Sequence, residues 1–320
     1  MKKSILTTFL LIIGLAGALA SDPLYLFAYF ENNKTDGLHL AWSADGMHWK
    51  SLNNGKPVFV PQDSTSNIIF RDPSIALAPD STFHLVWTSM GHSRSMGYAS
   101  SKDLRHWSFP KKIPVMDYEP TTLNVWAPEI YYDQKAKIYY IFWSSTIPDR
   151  FTFYSCNPGD KEWNHRIYYT STRDFKTFTP TRLYYNPDFN IIDPAIVRDP
   201  VKKDLIMVLK NENADQKNIR IVRSKNFRKG FSKRVSKPIT GDYAAEGPSA
   251  LWVGDTLYVY FDKFREGRYG AVRSTDHGKH WQEVTDQCTF PTNISHGTPI
   301  PVDRNLLISL FPEIKQAKDK

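Results

Sequence analysis

HLAWSADGMHW, residues 39–49, reads as a strand ending in Ser43, a polar turn around Asp45, and an aromatic, Trp49, four positions further on. The pattern returns as GYASSKDLRHW (97–107), YYTSTRDFKTF (168–178), RIVRSKNFRKGF (220–231) and GAVRSTDHGKHW (270–281). Each copy is strand, turn, strand, which is a hairpin. The Asp or Asn side chain caps the turn, and the aromatic packs between layers. One copy would be weak evidence. Five copies, with the acid or amide at 45, 103, 174, 226 and 276, define a repeating unit.

A second series interleaves with the first: Arg71-Asp72-Pro73-Ser74-Ile75, Ala127-Pro128-Glu129-Ile130, Asp193-Pro194-Ala195-Ile196, Glu246-Gly247-Pro248-Ser249-Ala250 and His296-Gly297-Thr298-Pro299-Ile300. Each sets a Pro beside a polar residue at the start of a short apolar strand, where a residue without an N–H is tolerated. Between the two series lie aromatic or alternating strands at 83–88, 138–143, 205–209 and 257–261. The unit is therefore a Pro strand, an aromatic strand and the hairpin, four strands in about 60 residues, which predicts an all-β, five-bladed β-propeller. The chain starts out of phase. Residues 24–30 and 39–52 supply the second to fourth strands of a blade whose first strand is 296–302, so both termini close the ring in one blade. Residues 303–311 read as a helix under that blade. Trp49, Trp107 and Trp281 are expected in the core.

First strands line a propeller's channel, so their starts converge. The expected cluster is Asp72, Glu129 with its neighbour Trp126, Asp193, Glu246 and His296, one group per blade at a shared structural position. Buried together, such carboxyls shift one another's pKa values.

At these residues the chain resembles glycoside hydrolase family 43, through FRDPSI (70–75), NVWAPEI (124–130), NIIDPAI (190–196), YAAEGPSAL (243–251) and SHGTPI (295–300). The motifs follow the family's order, one per blade. The resemblance implies inverting hydrolysis of a glycosidic bond, with Asp72 as general base, Glu246 as general acid, and Asp193 raising and orienting that acid. Trp126 would shape the sugar pocket, Glu129 and Arg71 would contact substrate, and Arg71 is a candidate cation beside Asp72. His296 would sit at the channel centre. No cofactor is required, and a Ca2+ or Na+ held by His296 through water is the one metal the resemblance suggests. Inversion needs two carboxyls about 6.5–9.5 Å apart, with room for water. The substrate reading is exo removal of terminal α-L-arabinofuranose from plant-type oligo- or polysaccharide, with β-xylosidase or exo-β-1,3-galactanase activity as alternatives. A non-catalytic carbohydrate-binding propeller is the alternative of another class. The Asp-box form at 274–281 also resembles sialidases, but no ordered Tyr and Arg series accompanies it. Fructan-cleaving propellers share the Arg-Asp-Pro triplet, but their Asn-Asp-Pro-Asn and Glu-Cys motifs are missing.

Composition bounds the rest. The 320 residues carry a formal charge of +8, 14% aromatics and two cysteines. That excludes a disordered chain and a disulfide scaffold. Lys2 and Lys3, the apolar run 5–15 and Ala18-Leu19-Ala20 read as a signal peptide over 1–20, leaving one catalytic domain over 21–320. Its removal leaves 39 basic and 33 acidic residues, +6. The reading is an exported, periplasmic or extracellular monomer with no membrane insertion. Cys156 and Cys288 could pair in an oxidising compartment. Eight Lys or Arg and no acid fall between 220 and 237. They are read as a solvated outer edge, and uronate-bearing glycans are their alternative partner. No nucleic-acid recognition motif accompanies the charge.

Overall fold

Four strands per unit is what the repeat predicts, and the computed structural model has them in four of five blades. It describes residues 22–32, 36–61, 69–151 and 163–316. The signal-peptide reading and Cys156 lie outside them. Cys288 is half-buried, with a free thiol. No helix among the described residues is long and apolar enough to cross a membrane.

The first blade holds β1 (Leu24–Glu31), β2 (His39–Ser43) and β3 (Lys50–Ser51). The second holds β4 (Arg71–Leu77), β5 (Phe83–Thr88), β6 (Met96–Ser101) and β7 (Lys111–Ile113). The third holds β8 (Trp126–Asp133), β9 (Ile138–Ser145), β10 (Arg166–Thr172) and β11 (Arg182–Tyr185). The fourth holds β12 (Ile191–Arg198), β13 (Leu205–Asn211) and β14 (Asn218–Ser224). The fifth holds β15 (Glu246–Val253), β16 (Thr256–Lys263), β17 (Arg268–Ser274) and β18 (Gln282–Glu283). β19 (Ile294–Val302) then pairs antiparallel with β1 and closes the ring in the first blade, as expected.

The fourth blade departs from the expectation: it has three strands. The backbone N–H groups of Ile221 and Ile219, which a fourth strand's carbonyls would accept, bond instead to the hydroxyls of Ser236 and Thr240 at 3.0 and 3.3 Å. Pro238, between them, has no N–H to offer. The basic stretch thus forms β14, a 3-10 turn at Phe227–Lys229 and an irregular edge. Several of its cations are paired within the blade: Arg223 with Asp199 and Asp204, and Lys233 with Asp188.

The turns are built as read. Asp45 Oδ1 accepts from the N–H groups of Met47 and His48, and Asp103 Oδ1 from those of Arg105 and His106. Asp174 and Asp276 do the same in their blades, and Asn226 accepts from Lys229 N–H. Packing follows from the ring, because each apolar cluster joins two neighbouring blades. Trp49 meets Phe27 and Tyr260 edge-on at 4.9 and 5.7 Å between the first and fifth blades. Trp107 and Trp281 are partly buried against their clusters. The C-terminal segment is helical as expected. Asp303 caps α1 (Arg304–Leu310) by accepting from Leu306 N–H at 2.9 Å. Leu307 and Phe311 pack under the first and second blades.

Candidate active site

In four blades the innermost strand breaks register at its Pro, the place where a bulge admits a residue that cannot donate to the ladder, and in β19 the break falls at His296-Gly297, ahead of Pro299. In four blades the residue before the Pro is left-handed: Asp72 (φ 50°), Ala127 (φ 47°), Asp193 (φ 56°) and Gly247 (φ 56°). Such backbone at non-glycine residues is strained and concentrates at working sites.

The bulge corrects one expectation. The five candidate residues do converge, but not at a shared position. Asp72 and Asp193 are the left-handed residues themselves. Glu246 comes one residue earlier, where the other blades have Arg71, Trp126 and Ile192. Glu129 comes two residues later, beyond the Pro. A bulge turns successive side chains in different directions, so the same pit is reached from three register positions.

A second ring of residues holds the first, and sequence reasoning missed it. Opposite Arg71, Trp126, Ile192 and Glu246 on the second strands stand Thr88, Ser144, Lys210 and Asp262. Each reaches into the next blade. Thr88 donates to Asp72 Oδ2 at 2.8 Å and accepts from Ala127 N–H at 2.8 Å. Ser144 accepts from Asp193 N–H at 3.1 Å. Lys210 donates to Glu246 Oε2 at 2.8 Å. Asp262 Oδ2 accepts from His296 N–H at 3.0 Å and from Ser295 Oγ at 2.7 Å. The available signal was positional: each lies 15 to 17 residues after the residue that precedes its blade's Pro.

Asp72 and His296 form a pair, with Nδ1 to Oδ1 at 3.4 Å. Burial would raise the Asp72 pKa. The hydrogen bond and charge of His296, the charge of Arg71 and the Thr88 hydroxyl outweigh it and hold the carboxyl below its usual range. Burial would likewise lower His296. The bond and charge of Asp72, with Asp193 and Asp262 behind it, push it up to about 9 instead. His296 is therefore the chief cation beside Asp72. Arg71 contributes less: it donates to Asn32 Oδ1 at 3.1 Å and lies over the Phe30 ring at 4.8 Å.

Three other carboxyls are raised, in each case chiefly by burial. Asp193 reaches about 6, with Asp72 and Glu246 adding to the effect and His296 and Lys210 opposing it. Glu129 reaches about 7 although Ser74 and Thr298 bond it, the Thr298 hydroxyl at 3.0 Å. Asp262 reaches about 7. Asp193 Oδ2 also accepts from Gly247 N–H at 3.0 Å and so fixes the backbone next to Glu246. Lys210 is buried between Glu246 and Glu212, 2.6 Å from the latter, and Lys217 binds Glu212 from the other side. Lys210 also lies over the Phe264 ring at 5.1 Å.

At the pit's edge Trp126 stacks on Trp163 at 4.7 Å and donates its indole N–H to the Gly91 carbonyl at 2.8 Å. Trp163 in turn stacks on buried His165 at 5.7 Å. Phe151, on the loop before the described residues resume at 163, lies under the Arg166 guanidinium at 4.6 Å. Among the described residues no group of three or more His, Cys, Asp or Glu could hold a metal ion directly, and His296 is the residue placed to hold the suggested channel cation through water.

Comparison with known proteins gives the same direction. A family model described as "Probable glycosyl hydrolase domain", of the glycosyl hydrolase 43-related type, matches residues 22–306. The chain is 24% identical over 258 residues to an alpha-L-arabinofuranosidase of Bifidobacterium longum subsp. longum, a match over 73% of this chain and 24% of that protein. The chain thus spans about a quarter of the length of the curated relative it matches. Among solved structures, the alpha-L-arabinofuranosidase from Lactobacillus brevis superposes with a TM-score of 0.52 at 15% identity, over 68% of this chain and 73% of that one. The catalytic domain of the Coprinopsis cinerea GH62 alpha-L-arabinofuranosidase superposes with a TM-score of 0.51 at 15% identity, over 72% and 73%. These two likenesses are of fold. The matched segment runs from β1 through β19, and the chain belongs to the glycosyl hydrolase 43-related family.

Proposed function

We propose that the protein is an inverting, exo-acting glycoside hydrolase that removes terminal α-L-arabinofuranose from plant-type polysaccharide or its oligosaccharides. The observation that carries this reading is the pair of unlike carboxylates in one pit. Asp72 is held ionised by an imidazolium, and Glu246 stands on another blade with its own cation and Asp193 beside it.

In this reading Asp72 takes a proton from a water molecule as the water attacks the anomeric carbon. Glu246 gives its proton to the departing glycosidic oxygen from the opposite face. Both carboxyls end the cycle having exchanged a proton, which solvent restores. His296 fits the base's role because it keeps Asp72 unprotonated near neutral pH. Asp193 acts as a positioning residue through the Gly247 N–H bond. Lys210 sets a condition on the acid. While Glu246 carries its proton, the Lys210 ammonium must rest on Glu212 alone, and Glu212, bound also to Lys217, is placed to receive it. The stacked Trp126 and Trp163 offer an apolar wall against which a sugar ring can lie. The arabinofuranose assignment draws on the names of the Bifidobacterium and Lactobacillus relatives.

Activity on nitrophenyl α-L-arabinofuranoside, β-D-xyloside and β-D-galactoside tests it. Arabinofuranoside turnover by the wild type and its loss in Asp72→Asn and Glu246→Gln are expected. Oligosaccharide binding without turnover of any of the three would favour the binding-module reading instead.

A further inference from the structure

The catalytic pit leaves the basic stretch of 220–237 unused. Five of its cations, Lys225, Lys229, Lys233, Arg234 and Lys237, are exposed. Lys233 pairs with Asp188 at 2.6 Å. The side chains of Lys225, Lys229, Arg234 and Lys237 have no hydrogen-bond or ion-pair partner among the described residues. The two arginines of β14 are occupied: Arg220 bonds Asn218, Gln216 and the Ser236 carbonyl, and Arg223 bonds Asp199 and Asp204. No Asp or Glu between 220 and 237 offsets the rest.

Lysines at the rim of a sheet commonly guard an open edge against pairing with another chain. That role is closed here, because the segment after β14 already takes its outward backbone groups. Ile221 N–H goes to the Ser236 hydroxyl and its carbonyl to Ser236 N–H; Ile219 N–H goes to the Thr240 hydroxyl and its carbonyl to Ile239 N–H. The exposed cations sit on the segment that covers the edge, where they repel one another and stabilise nothing in the blade. Such a surface gains its favourable interactions from an anionic partner. β14 is the third strand from the channel, and the cationic segment lies beyond it. At about 4.8 Å per strand, it stands about 14 Å outside the innermost strand. A small glycoside in the pit does not reach it, and a polymer does.

We propose that this outer face of the fourth blade is a docking surface for polysaccharide bearing uronic acid carboxylates, and that it holds the polymer while a terminal sugar is removed in the pit. It rests on the reading of the chain as a polysaccharide-acting hydrolase and adds acidic residues to that substrate. Nucleic acid fits the surface less well. The two rings of the segment, Phe227 and Phe231, pack against Tyr184 and Tyr185, so a base has no ring there to stack on.

The test compares Lys225→Gln/Lys229→Gln/Lys237→Gln with Lys111→Gln/Lys135→Gln/Lys279→Gln, which removes the same charge from exposed lysines of the second, third and fifth blades. Binding to polygalacturonate is read by affinity electrophoresis, without turnover. Wild-type protein is expected to bind it and to release it in about 1 M salt, where the screening length falls to about 3 Å. The first variant should bind about tenfold more weakly, the size of a few exposed charge contacts, and the second within about twofold of wild type. Both should cleave nitrophenyl α-L-arabinofuranoside at the wild-type rate. No binding by the wild type, salt-independent binding, equal weakening in the two variants, or double-stranded DNA bound as tightly as polygalacturonate would each overturn the proposal. If the wild type cleaves no glycoside, the hydrolase reading fails, and the binding comparison still decides the surface: weaker binding by the first variant alone supports it, and no difference between the two refutes it.

Discussion

Gly247 meets two demands, and a glycine elsewhere in the same blade meets only one of them. Both Gly247 and Gly254 have φ +56°. A Cβ at 254 would meet nothing within 4 Å, whereas a Cβ at 247 would stand 2.6 Å from His296 Cβ and 2.8 Å from its Cγ. Left-handed backbone costs alanine about 1–2 kcal/mol. Forcing an extra carbon into packed surroundings adds about 1–3 kcal/mol. Gly254→Ala is thus expected to lose about 1–2 kcal/mol and Gly247→Ala about 2–5 kcal/mol, both offset by the stiffer unfolded chain by about 0.4–1 kcal/mol. Denaturant unfolding of the two variants reads the difference directly. The functional consequence is specific to 247. The clash moves His296, whose Nδ1 lies 3.4 Å from Asp72. Asp72 then loses the partner that holds it ionised, so kcat/KM should fall and its acidic limb should move to higher pH. Gly254→Ala should keep both the rate and the profile. Equal stability losses, or a Gly247→Ala enzyme with the wild-type pH profile, would refute the claim that this glycine exists to let His296 reach Asp72.

Lys210→Met should destabilise the fold by about 3–5 kcal/mol, the usual effect of removing one member of a buried ionic cluster; Glu212→Gln should cost less, because Lys210 keeps Glu246. Thermal unfolding separates the two. Stability should fall as pH rises from about 4.5 to about 7, because Glu129 and Asp262 bind protons more tightly folded than unfolded, both with folded values of about 7. The His296 contribution is present in full below its unfolded value of about 6.5, and is lost as pH climbs through its folded value of about 9. Glu129→Gln should flatten the lower part of the Tm–pH curve and leave the upper part intact; an unchanged slope between pH 5 and 7 would count against a proton-binding Glu129. Asp72→Asn should lower kcat by about 10²–10⁴, and a loss under tenfold would remove Asp72 from the base's role.

The architecture was legible because propeller turns spend side chains on themselves. Asp45, Asp103, Asp174, Asn226 and Asp276 cap their own hairpins, so their spacing marks the blades without tertiary information. The Pro series marked the inner strands for the same local reason, since a residue without an N–H is confined to a strand's start, an edge or a bulge. What the sequence did not disclose depends on cross-strand register. Lys210 and Asp262 close strands that read as aromatic and apolar, and only pairing with Ile192 and Glu246 brings them to the pit. The bulge hid the different positions of Asp72, Glu129 and Glu246, because an inserted residue changes direction without changing the motif. The missing outer strand of the fourth blade rests on the Ser236 and Thr240 hydroxyls taking the N–H groups that a strand would have used, a choice that composition does not record.

The central claim is that Asp72 and Glu246 act from opposite faces of the sugar in a single displacement. Proton NMR of the product at the first minutes of arabinofuranoside hydrolysis, before mutarotation, tests it most directly. The account requires the β anomer to form first from an α-linked substrate. An initial α product would mean a covalent intermediate and two displacements, which contradicts the roles assigned to both residues.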